Sequence, residues 1–205
     1  MRKKSIFAAI KDIGKPVFTT RELSQISGKS PSVVTQSLNN LVKDGAVAKI
    51  YRGVWVNSGA AVSSYTIMPY LFSGHRAYVS FISALHLYGI IEQIPQVMTI
   101  ASTSHSRTIW TAAGVFRSHH ITPEFFTGFD WYQGHGSFLI ADQEKALVDS
   151  LYLSAYKKKN FGYFPELHLP PSFSFKKARQ WADRIPSGKA RVHAQKRLKQ
   201  LLNKR

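Results

Sequence analysis

The sequence contains no cysteine, few acidic side chains and no long apolar run. Without cysteine, a disulfide scaffold and a cysteine-based zinc site are both excluded, and this fits a cytoplasmic protein. No stretch approaches the roughly 18 apolar residues that a membrane span needs. The apolar run after Lys4 is also too short for the hydrophobic region of a signal peptide. We therefore expect no association with a membrane.

The composition that is present indicates a folded, basic protein. The chain has 205 residues, of which 44% are hydrophobic and 13% aromatic, enough for one or two domains with a real core. Its formal net charge of +17 is uneven: residues 1–58 carry +7, residues 59–156 carry −2 and residues 157–205 carry +12. Two basic ends around a neutral middle are typical of a protein that binds a polyanion.

Two short helices joined by a glycine-containing turn are predicted near the N-terminus. Thr19 to Glu22 has the capping-box form, with a hydroxyl at the N-cap and a carboxylate three residues later. A helix over residues 20–27 would end at Gly28, which can adopt the left-handed conformation. Ser30 and Pro31 then give a hydroxyl N-cap and a proline at the first position of a second helix. This spacing is typical of a helix-turn-helix.

The second helix, which extends to Lys43, has two faces. At helical spacing the apolar face holds Val34, Leu38, Leu41 and Val42. The polar face holds Ser32, Thr35, Gln36, Asn39 and Lys43. The polar face contains no acid, and its amides can pair bidentately with adenine while its hydroxyls and lysine can contact bases or phosphates. This composition favours a helix that reads DNA.

A hairpin wing is predicted after Gly45. Strands over 47–50 and 54–56 flank Tyr51, Arg52 and Gly53, which puts Arg52 at the tip. An arginine there can contact phosphate or the minor groove. The predicted base-reading residues are Ser32, Thr35, Gln36 and Asn39, and those predicted to hold the backbone are Lys29, Lys43, Tyr51 and Arg52. The alternative is a small helical domain with an ordinary hairpin.

The predicted fold class is α+β, in three parts. Residues 1–58 form a winged helix-turn-helix, residues 59–156 a mixed α/β domain, and residues 157–205 a basic, helical extension. A first helix would point Ile6, Phe7, Ile10 and Ile13 inward, and residues 60–74 form a connector. The mixed domain would contain a helix over 81–88 capped by Ser80, and strands over 97–100, within 109–121 and over 137–141. A helix capped by Asp142 would run to Tyr156 and bury Leu147, Val148, Leu151 and Tyr152.

The basic extension opens with three lysines, Lys157 to Lys159, and would contain helices over 175–185 and 189–202. The apolar residues of the last helix are Val192, Leu198, Leu201 and Leu202. So many lysines are usually a solvated surface, but a nucleic-acid or acidic-partner role is equally compatible.

An enzyme is a less favoured alternative. Asp142, Glu144, Lys145 and Asp149 are residue types that metal-dependent nucleases use, but Glu144 and Lys145 are adjacent. A structural interpretation is simpler: Asp142 caps a helix, Glu144 lies near its positive N-terminus, and Lys145 pairs with Asp149 at i, i+4. We expect no cofactor. We also expect no metal site, since His119 and His120 would point to opposite faces of a strand.

Three further sequence blocks follow the predicted wing. They read S-x-x-S-A-L from Ser80, E-Q-I-P from Glu92 and E-K-A-L-x-D from Glu144. With the wing Arg52-Gly53-Val54-Trp55, the chain over about residues 5–155 resembles the AbiEi antitoxin family, the transcriptional regulators of type IV toxin–antitoxin systems in phage defence. Gln143 departs from the proline that this resemblance leads us to expect.

The resemblance implies a function. The N-terminal domain would bind inverted repeats in double-stranded DNA of its own promoter and repress it, and a dimer on DNA is compatible with this. The second domain would support antitoxicity and cooperative DNA binding. The partner would be a nucleotidyltransferase-like toxin, in a functional and not necessarily physical sense. The remaining alternatives are a nuclease targeted by the winged helix and a protein-interaction module.

Overall fold

The computed structural model describes residues 4–72, 76–134, 137–156 and 166–202. The chain divides into two units, residues 1–73 with 110–114 and residues 74–109 with 115–205. The described residues contain eight α-helices and nine strands in two sheets, which confirms a mixed α+β fold. The lysine run 157–159 lies outside the described residues, as do His75 and His135.

Three helices form the N-terminal part of the first unit: α1 (Ile6–Ile13), α2 (Thr20–Ser27) and α3 (Pro31–Lys43). The predicted capping box begins α2, since the Thr19 hydroxyl accepts from the Glu22 amide at 3.1 Å and the Glu22 carboxylate accepts from the Thr19 amide at 2.7 Å. Gly28 ends α2 with φ +66°, a conformation that glycine adopts without strain. These residues therefore set both the start of α2 and the sharp turn into α3.

A three-stranded antiparallel sheet packs beside these helices. It consists of β1 (Val17–Thr19), β2 (Val47–Tyr51) and β3 (Val54–Asn57) in the order β1-β3-β2. The shared core is built from buried residues of all three helices and the sheet: Ile6, Ala9, Ile10, Phe18, Leu23, Val34, Leu38, Val47 and Trp55. This arrangement is consistent with a winged helix. Helix α4 (Ser64–Leu71) also belongs to the first unit.

The second unit is built on a six-stranded mixed sheet. Its strands are β4 (Ala77–Val79), β5 (Val97–Ser102), β6 (Arg107–Thr111), β7 (Gly114–His120), β8 (Phe129–Trp131) and β9 (Leu139–Ala141), in the order β6-β7-β5-β4-β9-β8. Pairs β5–β7 and β4–β9 are parallel, whereas β4–β5 and β8–β9 are antiparallel. Helix α5 (Phe81–Leu87) lies between β4 and β5, and a 3₁₀ turn covers Pro123–Phe125.

Helix α6 (Gln143–Ser154) is the centre of the second unit. It contacts α5 and also α7 (Phe175–Asp183) and α8 (Gly188–Leu202), which contact each other. The residues predicted to be buried, Leu147, Val148, Leu151 and Tyr152, are buried. All positions of α6 from Glu144 to Leu153 are buried, as expected of a helix covered on several sides.

Several apolar residues are not where the sequence pattern predicted them. Phe7 of α1 is 53% exposed and Val42 of α3 is 39% exposed, so neither belongs to the core of the first unit. Val192 of α8 is 65% exposed. The helices bury narrower stripes than expected, because two or three residues per helix suffice to fill the space against their neighbours.

For two predicted N-cap serines the position is right, but the predicted side-chain hydrogen bond to the helix is absent. Ser30 and Ser80 occupy N-cap positions with extended backbone, but neither hydroxyl caps its helix. The Ser30 hydroxyl instead lies 3.0 Å from that of Ser32, and the Ser80 hydroxyl donates to Asp149 at 2.7 Å. The segment 60–74, which was predicted to be a connector, contains helix α4.

Candidate nucleic-acid interface

The outward face of α3 carries most of the residues that the sequence pattern assigned to base reading. Ser32, Gln36, Asn39 and Lys43 are all exposed, at intervals of four, three and four residues. Side chains at this spacing lie above one another on one side of a helix. The opposite side holds the buried Val34 and Leu38. The helix thus presents a polar row of short hydrogen-bonding groups.

Thr35 differs from the other predicted base-reading residues. It is half-buried, and its hydroxyl donates to the Pro31 carbonyl at 2.8 Å. Its proton is therefore already used within the helix, and its oxygen is left as an acceptor. Thr35 stands at the edge of the row and not at its centre.

Two exposed residues on the outward side were missed by the sequence analysis. Val33 is 44% exposed, and Asn40 is exposed one turn beyond Gln36. An apolar side chain in such a position can contact a thymine methyl group, and asparagine can pair with adenine. Their signal in the sequence was their angular position, because at 3.6 residues per turn Val33 lies about 140° and Asn40 about 160° around the helix from Leu38.

The wing is tied to the start of α2. The Thr20 amide donates to the Gly53 carbonyl at 3.0 Å, and the buried Trp55 donates from Nε1 to the Thr20 hydroxyl at 2.9 Å. Gly53 has φ +73°, a conformation that glycine adopts without strain. These bonds hold the turn that carries Arg52 in a fixed place relative to the helix-turn-helix.

Basic residues around α3 and the wing are available to a ligand. Arg52 and Tyr51 are exposed, and Lys29 is half-buried beside the helix turn. The wing adds Lys49, which is exposed with its ammonium 5.5 Å from the centre of the Trp55 ring and was not predicted.

Of the three acids of the first unit, Asp44 is exposed at the C-cap of α3 next to Lys43, and the other two are engaged elsewhere. Asp12 pairs with Lys4 at 2.7 Å, and Glu22 is engaged in the capping box. Within the part of the chain that the structure describes, Lys29, Lys43 and Arg52 form no ion pair. The interface therefore keeps a positive charge beside a row of neutral hydrogen-bonding groups.

The acidic and basic residues of α6 form a buried cluster instead of an open site. Lys145 and Asp149 pair as predicted, and both side chains have 0% exposure. Asp149 also accepts from the Ser80 hydroxyl at 2.7 Å and the Tyr78 hydroxyl at 3.0 Å. The Lys145 ammonium lies 3.7 Å from the centre of the Phe125 ring. Burial lowers the pKa of Lys145 and raises that of Asp149, and the opposite charge of each partner counteracts both shifts.

The start of α6 is fixed by its two other acids. Asp142 caps the helix as predicted, because its carboxylate accepts from the Lys145 amide at 2.8 Å. Glu144 is 3% exposed and accepts from the Ser174 amide at 2.8 Å. Lys177 of α7 lies 3.2 Å from Asp142 and 3.4 Å from Glu144. These residues join α6 to the segment that begins α7.

The histidine pair on β7 also separates as predicted. His119 is buried and lies edge-on to Phe81 with ring centres 5.2 Å apart, whereas His120 is exposed. Among the described residues, no group of three or more histidine, aspartate or glutamate side chains is arranged to hold a metal ion. In the same unit, Phe125 is buried in the core, whereas Trp131 is 56% exposed.

Comparison with protein families identifies the segment that carries α3 and the wing. Residues 9–58 match the family model of the AbiEi antitoxin transcriptional regulators. This match confirms the resemblance stated from the sequence, over the helices and the wing. The blocks from Ser80, Glu92 and Glu144 lie outside the matched residues, so the resemblance there stays a prediction. No curated protein matches the chain.

The described helices were also compared with what a membrane-spanning helix requires. None of them combines the length and the apolar character that crossing a lipid bilayer requires.

Proposed function

We propose that this protein is the antitoxin of a type IV toxin–antitoxin system, acting in the cytoplasm as a repressor of its own promoter through inverted repeats. The family of residues 9–58 supports a DNA-binding antitoxin regulator. The observation that carries the proposal further is the outward face of α3, where the exposed amides of Gln36 and Asn39 lie beside cations that form no ion pair among the described residues. That combination suits a helix in the major groove.

Each group has a distinct role in this proposal. The amides of Gln36 and Asn39 read base edges, with Ser32 and Thr35 at the margins of the row. Lys29, Lys43, Tyr51 and Arg52 hold the phosphate backbone. Val33 and Asn40 extend the base-reading set. Inverted repeats would require two copies related by a two-fold axis, so we propose a dimer on the DNA.

Binding to the upstream region of its own gene is the first test. Purified protein is titrated on that fragment and on random DNA of equal length, across a range of salt concentrations. Binding to the upstream fragment alone that persists at higher salt supports autoregulation. Equal and salt-sensitive binding to both fragments would mean that the +17 charge accounts for the affinity, and the proposal would fail.

The antitoxin role needs a separate test. The neighbouring gene is expressed with and without this protein, and cell growth is measured. We propose that a nucleotidyltransferase-like toxin arrests growth and that this protein restores it without forming a stable complex. Restored growth combined with co-purification of the two proteins would favour direct inhibition through the middle of the chain instead.

For the second unit we propose a structural and regulatory role and no enzymatic one. The ammonium of Lys145 and the carboxylate of Asp149 have no exposed surface through which to reach a phosphodiester. The check is incubation of the protein with single-stranded and double-stranded DNA in Mg²⁺ or Mn²⁺. Cleavage that disappears in Glu144→Ala, while the variant remains folded, would support the nuclease alternative.

A further inference from the structure

Helices α7 and α8 form a strongly basic, folded surface on the second unit. Residues 175–202 contain nine lysines and arginines and one acid, Asp183. They are not a free tail, because each helix buries one face. The buried residues are Ala178, Trp181, Ala182, Ile185, Ala190, Ala194 and Leu198. The fold therefore holds this charge at fixed positions.

Part of that charge is used inside the protein. Lys177 pairs with Asp142 and Glu144, and the Arg184 guanidinium lies 4.9 Å from the centre of the Trp181 ring. Arg191 donates from Nε to the Ile185 carbonyl at 2.8 Å. These three residues stabilise the packing of α7 and α8 and are not counted as ligand-binding groups.

Of the six remaining cations, Arg197 is half-buried and five are exposed. Lys176 and Arg179 of α7 and Lys189, Lys196 and Lys199 of α8 are exposed, and we call these five residues the α7–α8 cationic face. In the described ranges, none of the five forms an ion pair. The single acid nearby, Asp183, accepts from Gln195 at 2.7 Å. Arg179 and Lys199 line the same cavity of about 400 Å³ between the two helices.

The spacing on α8 produces a row of charges. Lys189, Lys196 and Lys199 are seven and three residues apart, so they share one side of the helix, opposite Ala190, Ala194 and Leu198. At about 1.5 Å per residue the row is about 15 Å long. This corresponds to about four phosphate positions along one DNA strand.

The composition of the face favours nucleic acid over protein. Protein interfaces are depleted of lysine and are anchored by aromatic residues. On α7 and α8, Val192 is the exposed large apolar residue among those described, and no aromatic side chain is exposed there. Gln180 and Gln200 lie exposed among the cations and can donate to phosphate oxygens.

The pKa of His193 on α8 is consistent with a positive electrostatic potential at this face. The pKa of His193 is lowered from its ordinary value by partial burial and then by the positive charges of Arg197 and Lys196. A neighbouring histidine thus responds to the unneutralised charge.

We propose that the α7–α8 cationic face binds the sugar–phosphate backbone of double-stranded DNA without regard to sequence. This goes beyond the function proposed above, since it does not require α3 to read a base. It gives the chain a second contact with DNA, which raises affinity through effective concentration while α3 sets specificity.

The test compares two matched variants of the full chain on a random 20-base-pair duplex. Lys196→Gln/Lys199→Gln removes two charges from the face, and Arg76→Gln/Arg117→Gln removes two from elsewhere in the second unit. We expect the first variant to lower the slope of log affinity against log salt by about 1 to 2, since each phosphate contact contributes about 0.9. We expect the second variant to match the parent.

Four outcomes are informative. An Arg substitution, Lys196→Arg/Lys199→Arg, should preserve the slope and so supports the proposal. Equal slope changes in both glutamine variants would overturn it, because net charge alone would explain the binding. No change in either would also overturn it. Loss of binding to a polyglutamate peptide, with DNA binding unchanged, would overturn it in favour of an acidic protein partner. Loss of preference for the upstream fragment tests the earlier proposal and not this one.

Discussion

Two helices, α3 and α6, carry the polar residues most suggestive of function, and the structure treats them in opposite ways. On α3, Gln36 and Asn39 face solvent. On α6, Lys145 and Asp149 have no exposed surface and are bonded to each other and to Tyr78. From residue types alone, α6 would be the better candidate of the two for a catalytic site. The polar side chains of α3 are exposed and so accessible to a ligand, whereas those of α6 are buried and hold the second unit together.

The largest expected effect comes from breaking the α6 pair. Lys145→Met should lower the free energy of unfolding by about 3 to 5 kcal/mol, because it leaves the Asp149 carboxylate buried without its counter-charge. Urea unfolding of the full chain measures this. Lys145→Met/Asp149→Leu should recover part of the loss, because it removes the buried charge but also takes the acceptor from the buried hydroxyls of Ser80 and Tyr78. A Lys145→Met protein as stable as the parent would show that the pair is not structural.

The α3 face should respond in binding and not in stability. Gln36→Ala should weaken binding to the upstream fragment by about 1 to 3 kcal/mol, since the amide would lose its bidentate contact with a base. The free energy of unfolding should hardly change because Gln36 is exposed. The matched control is Gln93→Ala, an exposed glutamine of the second unit. Equal binding by both variants would remove Gln36 from the base-reading set.

The wing should affect every DNA sequence alike. Arg52→Ala removes one exposed cation at the turn, so it should reduce the salt slope by about 0.9 on the upstream fragment and on random DNA. Arg52→Lys should keep the slope. A change in sequence preference in Arg52→Ala would instead mean that Arg52 enters a groove and reads DNA shape.

The smallest expected effect is the pH dependence that His193 gives to the free energy of unfolding. Its pKa is lowered in the folded protein by partial burial and by Arg197 and Lys196. The unfolded chain takes up this proton near pH 6.5, while the folded chain requires a lower pH. The contribution of His193 to stability is therefore complete above about pH 6.5 and declines as the pH falls further. Urea unfolding from pH 7.5 to 5 should show this decline in the parent and not in His193→Gln. Parallel curves would contradict it.

Local signals in the sequence predicted much of the first unit. The capping box at Thr19, the left-handed Gly28 and Pro31 at the start of α3 act over a few residues, so a pattern can reveal them. The Lys145–Asp149 pair follows from the same short-range logic. By contrast, the exposure of Phe7 and Val42 depends on which neighbours cover each helix, and no local pattern contains that information.

Long-range packing explains the other differences. Strands β1, β4 and β8 have three residues each, too few for an alternation to be seen, and their pairing with β3, β5 and β9 is what makes them strands. The bonds from Ser80 and Tyr78 to Asp149 join residues about 70 positions apart. Of the interface, the sequence indicated the polar row, whereas Val33 was missed because an apolar residue is not expected on an exposed face, and Asn40 because it lies beside the row and not in it.

The central claim is that the outward face of α3 selects the DNA sequence. The most direct measurement is the ratio of affinities for the upstream fragment and for random DNA, in the parent and in Asn39→Ala at one salt concentration. The account predicts that the parent prefers the upstream fragment and that the substitution reduces the ratio about tenfold or more, while binding to random DNA stays the same. An unchanged ratio would contradict the claim.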